Sequence, residues 1–125
     1  MKGYKDLKVY EKSYNAAKAI YRLSEDFPKE EIYAMTDQIK RASLSIPLNI
    51  AEGYVKRRSQ REFKRFLEIA IGSSNEVSLL LDFASDLGYI SKERYIKASQ
   101  EYDEISKMLN VFIQRLEEQS QKSKI

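Results

Sequence analysis

Cysteine and histidine are both absent from this 125-residue chain. Without cysteine there are no disulfides, thiolate metal sites or thiol nucleophiles. Without histidine there is no Ser-His-Asp relay, no imidazole general base, and no zinc or di-iron centre of the kinds that depend on imidazole. Glycine and proline are scarce, at four and two residues. That leaves room for only a handful of turns and suits a few long helices. No apolar run is long enough to cross a bilayer. The opening Met1-Lys2-Gly3-Tyr4-Lys5-Asp6 has no apolar segment behind its basic residues, so it does not read as a secretory signal. The expected compartment is the cytoplasm, with no membrane role.

Charged residues make up 33% of the chain and hydrophobic ones 42%, a globular composition with the length of one domain. The net charge of +3 permits contact with nucleic acid or another acidic partner without requiring it.

Apolar periodicity and punctuation predict four helices, at about residues 6–27, 30–54, 59–87 and 92–119, followed by a frayed tail over 120–125. Asp6 is the expected first N-cap and Pro28 the stop. Ser59 and Glu62 have the spacing of a capping box, and Gly88 suits the left-handed position after a helix. Short connections between such helices imply an all-α, antiparallel up-down-up-down four-helix bundle occupying residues 1–125 as one domain.

The last helix carries one seam, Tyr95, Ala98, Tyr102, Ile105, Leu109, Phe112 and Leu116, at alternating spacings of three and four. Core packing explains it without a cofactor. The other three helices are apolar on more than one face. Helix two has a core stripe from Ile32 through Met35, Ile39, Ala42, Ile46 and Ile50, while Leu44 and Leu48 lie elsewhere. Helix three has Gly72, Leu79 and Phe83 away from its core stripe. A monomeric bundle needs one broad stripe per helix, so the surplus points to self-association, against the plainer reading of scattered surface leucines. Gly72 lowers helix stability by about 1 kcal/mol relative to Ala. A close approach by a neighbouring helix would account for it. Pro47, inside helix two, is expected to kink it, with Ser43, Ser45 or water satisfying the freed group.

The polar residues beside these stripes are Asn49, Glu52 and Glu76. A metal site or an acid–base pair can be imagined from them, but no histidine, nucleophile or phosphate-cradling glycine loop accompanies them. A structural hydrogen-bond cluster is the simpler reading. The one concentration of charge is Lys56, Arg57, Arg58, Arg61, Lys64 and Arg65, six basic residues within ten positions. It can be a grip on nucleic-acid phosphates or a solvated face paired with Glu62 and Glu68.

The run Tyr33-Ala-Met-Thr-Asp-Gln-Ile-Lys-Arg-Ala-Ser-Leu-Ser-Ile-Pro-Leu-Asn-Ile-Ala-Glu-Gly53 resembles the hallmark of the bacterial four-helix bundle proteins encoded in 23S ribosomal RNA intervening sequences, a family related to the accessory protein of diversity-generating retroelements. Asp6 to Tyr10, Phe27 to Glu31, Phe63 to Glu76 and Leu87 to Ile90 resemble further family segments. The sequence departs from the pattern at Tyr10, where Trp is frequent, and at Ser74, where a large apolar residue is frequent. The resemblance implies a ring-like homopentamer with no catalytic activity, and the residues themselves lead to no expected cofactor or metal. In the retroelement branch it implies nucleic-acid binding beside a reverse transcriptase. The function expected from the sequence is therefore a non-enzymatic, self-assembling bundle that binds RNA or DNA through its basic surface. The alternative is a protein-interaction scaffold with no nucleic-acid role.

Overall fold

The computed structural model describes residues 3–123; Met1 and Lys2 of the opening segment, and the last two residues of the expected tail, lie outside them. Among the described residues there are four long helices and no strand. They are α1 (Lys8–Ser24), α2 (Asp37–Val55), α3 (Gln60–Asp86) and α4 (Lys92–Ser123). The neighbouring pairs are α1 with α2, α2 with α3, α3 with α4, and α4 with α1, which closes a four-helix bundle with α1 and α3 on a diagonal.

The ends of the helices differ from the sequence expectations in instructive ways. A short 3₁₀ turn, Tyr4–Asp6, precedes α1, and Leu7 rather than Asp6 occupies the N-cap, with no side-chain cap. At the other end α1 tightens before Pro28 is reached. Glu25, Asp26 and Phe27 donate their N–H groups to carbonyls three residues back. Helix two was expected from residue 30, but Lys29–Glu31 is a 3₁₀ turn and Ile32–Thr36 a wide π-type turn. The latter contains Ala34 at non-helical φ −124°, ψ −105°. Tertiary contacts hold this segment across the bundle end. The Tyr89 ring packs 5.7 Å from Phe27, and its hydroxyl donates to Glu31 at 3.2 Å. Ile32 is consequently exposed rather than part of the core stripe. The backbone leaves helical geometry at Ala34, while α2 runs unbroken through Pro47. Ser43 turns its hydroxyl to the Lys40 carbonyl, and Ser45 accepts from Asn49.

At α3 the Ser59 hydroxyl accepts from the Glu62 N–H as expected, but the Glu62 carboxylate turns to Arg65 instead of completing the box. Gly88 sits at φ +75°. The Tyr89 N–H reaches the Ala84 carbonyl and the Gly88 N–H that of Ser85, which together close the helix end in a Schellman arrangement. α4 continues through residues 120–123, so that part of the expected frayed tail is helical.

The core joins all four helices through Val9, Ile20, Ile39, Ile46, Ile50, Leu67, Val77, Leu81, Ile105 and Leu109, each nearly or wholly buried. The seam read along α4 supplies it, with Ile113 added. Ser74 is fully buried and ties α3 to α4, donating to the Tyr102 carbonyl at 3.2 Å and sharing a 2.8 Å bond with Ser106. α2 and α3 approach closely at Gly53. A Cβ there would lie 2.9 Å from the Phe66 Cβ and 3.1 Å from Phe63 Cδ1. Gly72 has nothing within 4 Å of the corresponding position, so no close approach within this chain explains it.

Candidate nucleic-acid interface and assembly surface

The basic residues gather where α2 ends and α3 begins. Few of them are free. Lys56 pairs with Glu52 at 3.0 Å, Lys64 with Glu117 at 3.1 Å, and Arg65 with Glu62 at 2.9 Å. The hydrogen bond from Arg65 holds the Glu62 carboxyl below the usual carboxylate range. Arg57 donates to the Tyr54 carbonyl and lies 4.1 Å from the centre of the Tyr54 ring. Arg65 also turns onto Phe66. Its guanidinium packs 4.4 Å from that ring, with Lys56 5.0 Å away. Arg57, Arg58 and Arg61 make no ion pair among the described residues, and of these Arg57 is the one turned onto Tyr54. Beside them a shallow groove of about 540 Å³ runs between α3 and the end of α4, lined by Arg61, Lys64 and Arg65 but also by Glu68 and Glu117. The end can hold an anion at Arg58 and Arg61, and its aromatic rings are covered by cations rather than open to bases.

The assembly candidates are all exposed. Leu44, Leu48, Leu79 and Phe83 expose 40%, 60%, 67% and 55% of their surface. Gly72 lies on the same outward face of α3 as Leu79 and Phe83. Sequence reasoning missed Ile69, also 40% exposed, which extends that stripe by one turn. The spacing 69, 72, 76, 79, 83 was the available signal. Leu44 and Leu48 belong to a second patch, on the α1 side of α2. One turn before Leu44, the Lys40 ammonium lies 5.1 Å from the centre of the Tyr21 ring of α1.

Asn49, Glu52 and Glu76 do not form one cluster. Asn49 is half-buried and donates to Ser45, which in turn bonds Ser73 across to α3 at 2.9 Å. Glu52 is exposed and engaged by Lys56. Glu76 is exposed and accepts from Gln38 at 3.2 Å. They lie apart along the α2–α3 seam because their partners are set by helix register, which sequence spacing within one helix cannot report. Among the described residues no three carboxylates converge as metal ligands.

A family model described as 23S rRNA-intervening sequence protein matches residues 5–111. Among solved structures, a protein of unknown function from the S23 ribosomal protein family of Bacteroides thetaiotaomicron VPI-5482 is similar at 30% identity with a TM-score of 0.77. The match covers 84% of this chain and 97% of that one. No curated protein matches.

Proposed function

Because the chain belongs to the 23S rRNA-intervening sequence protein family, we propose that it is a non-enzymatic, self-assembling bundle that grips nucleic-acid phosphates with the end formed by α2 and α3. The observation that carries this reading is the pair of exposed guanidinium groups, Arg58 and Arg61, which among the described residues are held by neither a carboxylate nor an aromatic ring, at the end where α2 gives way to α3. The helices run antiparallel, up-down-up-down. Cross-helix pairs whose numbers rise on one helix as they fall on the next support this: Lys12 with Glu101 and Asp26 with Arg94; Lys64 with Glu117 and Ser74 with Ser106.

A single such end would bind weakly. Several presented together, five in the ring implied by the family resemblance, gain by effective concentration without any new type of contact. Binding is steeply salt-dependent, since each neutralised phosphate releases counterions, and indifferent to sequence, since Lys and Arg on a surface without open aromatic rings contact phosphates rather than base edges. The test is a titration of mixed RNA and DNA oligonucleotides at low and moderate salt. Wild type is compared with a variant in which Arg57, Arg58, Arg61 and Arg65 are all changed to Glu. Wild type binds at low salt and the variant does not; absence of wild-type binding removes the nucleic-acid role.

The second reading is a protein-interaction scaffold. It is favoured by the three internal ion pairs that already neutralise half of the basic cluster. The resemblance to retroelement accessory proteins makes a reverse transcriptase the protein partner to test first.

A further inference from the structure

The bundle carries a concave apolar surface that no sequence stripe announced. It is a groove of about 560 Å³ between the start of α1 and the second half of α4, floored by Leu7, Val9, Met108 and Val111. Val111 is 43% exposed within it. Lys8, Lys107 and Arg115 line it against a single carboxylate, Glu104, so its rim is net positive.

The exposed stripe of α3, Ile69, Gly72, Leu79 and Phe83, has the opposite character. Its flanks are acidic: from Phe66 to Ser91 there is no lysine or arginine, while Glu68, Glu76, Asp82 and Asp86 are all present and exposed, and on the α4 side Asp103 joins Asp82 beside one cation, Lys107. Two such stripes facing each other would set carboxylates against carboxylates, an arrangement that like-charge repulsion disfavours. The same stripe laid in the groove would set its acidic flanks against the basic rim.

We infer that the α3 stripe of one copy docks in the α1–α4 groove of a second copy. This rests on the self-assembly proposed above and specifies its geometry. Stripe and groove lie on different faces of the bundle, so the contact is head-to-tail. Such a contact leaves one free stripe and one free groove at every stage, and growth ends only when a ring closes. Gly72 falls within the docked stripe, where the open space over its Cα lets the groove wall come close to the backbone.

The experiment uses exposed positions on each surface and the absence of native cysteine. Phe83→Asp removes the stripe and Val111→Asp removes the groove, with helicity checked by circular dichroism. Each variant sediments as a monomer under conditions where wild type assembles, and an equimolar mixture gives a 1:1 heterodimer that grows no further. In parallel, chains carrying Leu79→Cys and chains carrying Val111→Cys are mixed under mild oxidation. They yield the mixed disulfide dimer in preference to either homodimer. Persistence of the wild-type assembly in Val111→Asp, or predominant homodimers of the Leu79→Cys chain, overturns the inference while leaving self-assembly standing. A monomeric wild type overturns both.

Discussion

The two ends of α3 present opposite kinds of surface. At its start the chain concentrates charge, yet Glu52, Glu62 and Glu117 engage three of the cations and the Tyr54 ring holds down a fourth, Arg57. Toward its C-terminal end lies an apolar stripe with nothing over it. The basic end stands out in sequence, but water and internal partners already solvate it. The stripe is quieter in sequence, but every exposed Leu or Phe side chain leaves up to about 1.5–3 kcal/mol of unrealised burial. An exposed apolar row is therefore the stronger indication of a partner, and a dense charge run the weaker one.

The sharpest way to break that comparison is to charge the stripe. If a second copy covers it, Phe83→Asp leaves an unpaired carboxylate buried at the contact and weakens assembly by about 3–5 kcal/mol. Sedimentation at several concentrations reads this directly. An unchanged assembly would return the stripe to the status of ordinary surface.

The two glycines sharpen the comparison next. Gly53→Ala beneath the basic end forces a methyl group against Phe66 and Phe63, and we expect a loss of about 1–3 kcal/mol of stability by denaturant titration. Gly72→Ala meets no atom within its own chain, so the helix itself gains about 0.5–1 kcal/mol. The same substitution weakens assembly if a neighbour approaches that backbone. A stabilised and equally assembled Gly72→Ala protein would show that no neighbour does.

A control lies in the interior that both ends share. The Tyr102 hydroxyl is buried without a hydrogen bond to the protein, and burial pushes its phenol well above the ordinary value. Between the unfolded value of about 10 and that raised value the folded state holds the extra proton, so stability falls as pH rises through this window. Tyr102→Phe should remove part of that alkaline loss while leaving assembly near neutral pH unchanged. Comparing the slope of stability against pH for the two proteins checks this. The smallest structural effect is expected at the basic end. Arg58→Glu combined with Arg61→Glu leaves the melting temperature and the oligomer as they were, while oligonucleotide binding at low salt disappears. A change in assembly instead would mean that these arginines belong to the contact.

Much of the bundle was legible along the chain. The seam on α4, the core stripe from Met35 to Ile50, the Ser59 cap and the Gly88 terminator are local signals. Each depends on a residue's own periodicity or on neighbours within a turn or so. The start of α2 was misread because the Phe27–Tyr89 contact and the Tyr89–Glu31 bond, which hold residues 29–36 out of regular helix, join segments about sixty positions apart. The groove was invisible for a related reason. Met108 and Val111 lie beside the α4 seam rather than on it, and they form a cavity only because α1 begins where it does.

By itself, then, the sequence determined that this chain makes four helices, which faces they bury, and that thiol and imidazole chemistry are excluded. These follow from composition and from an apolar period that any helical backbone must express. Tertiary structure alone decided that Gly53 and not Gly72 marks the tight helix contact within the chain, and that Ser74 bonds Ser106. It also decided that Glu117 takes Lys64 out of the basic cluster. Each of these depends on the register between helices, which is set by how side chains interlock across the core and not by spacing along one chain.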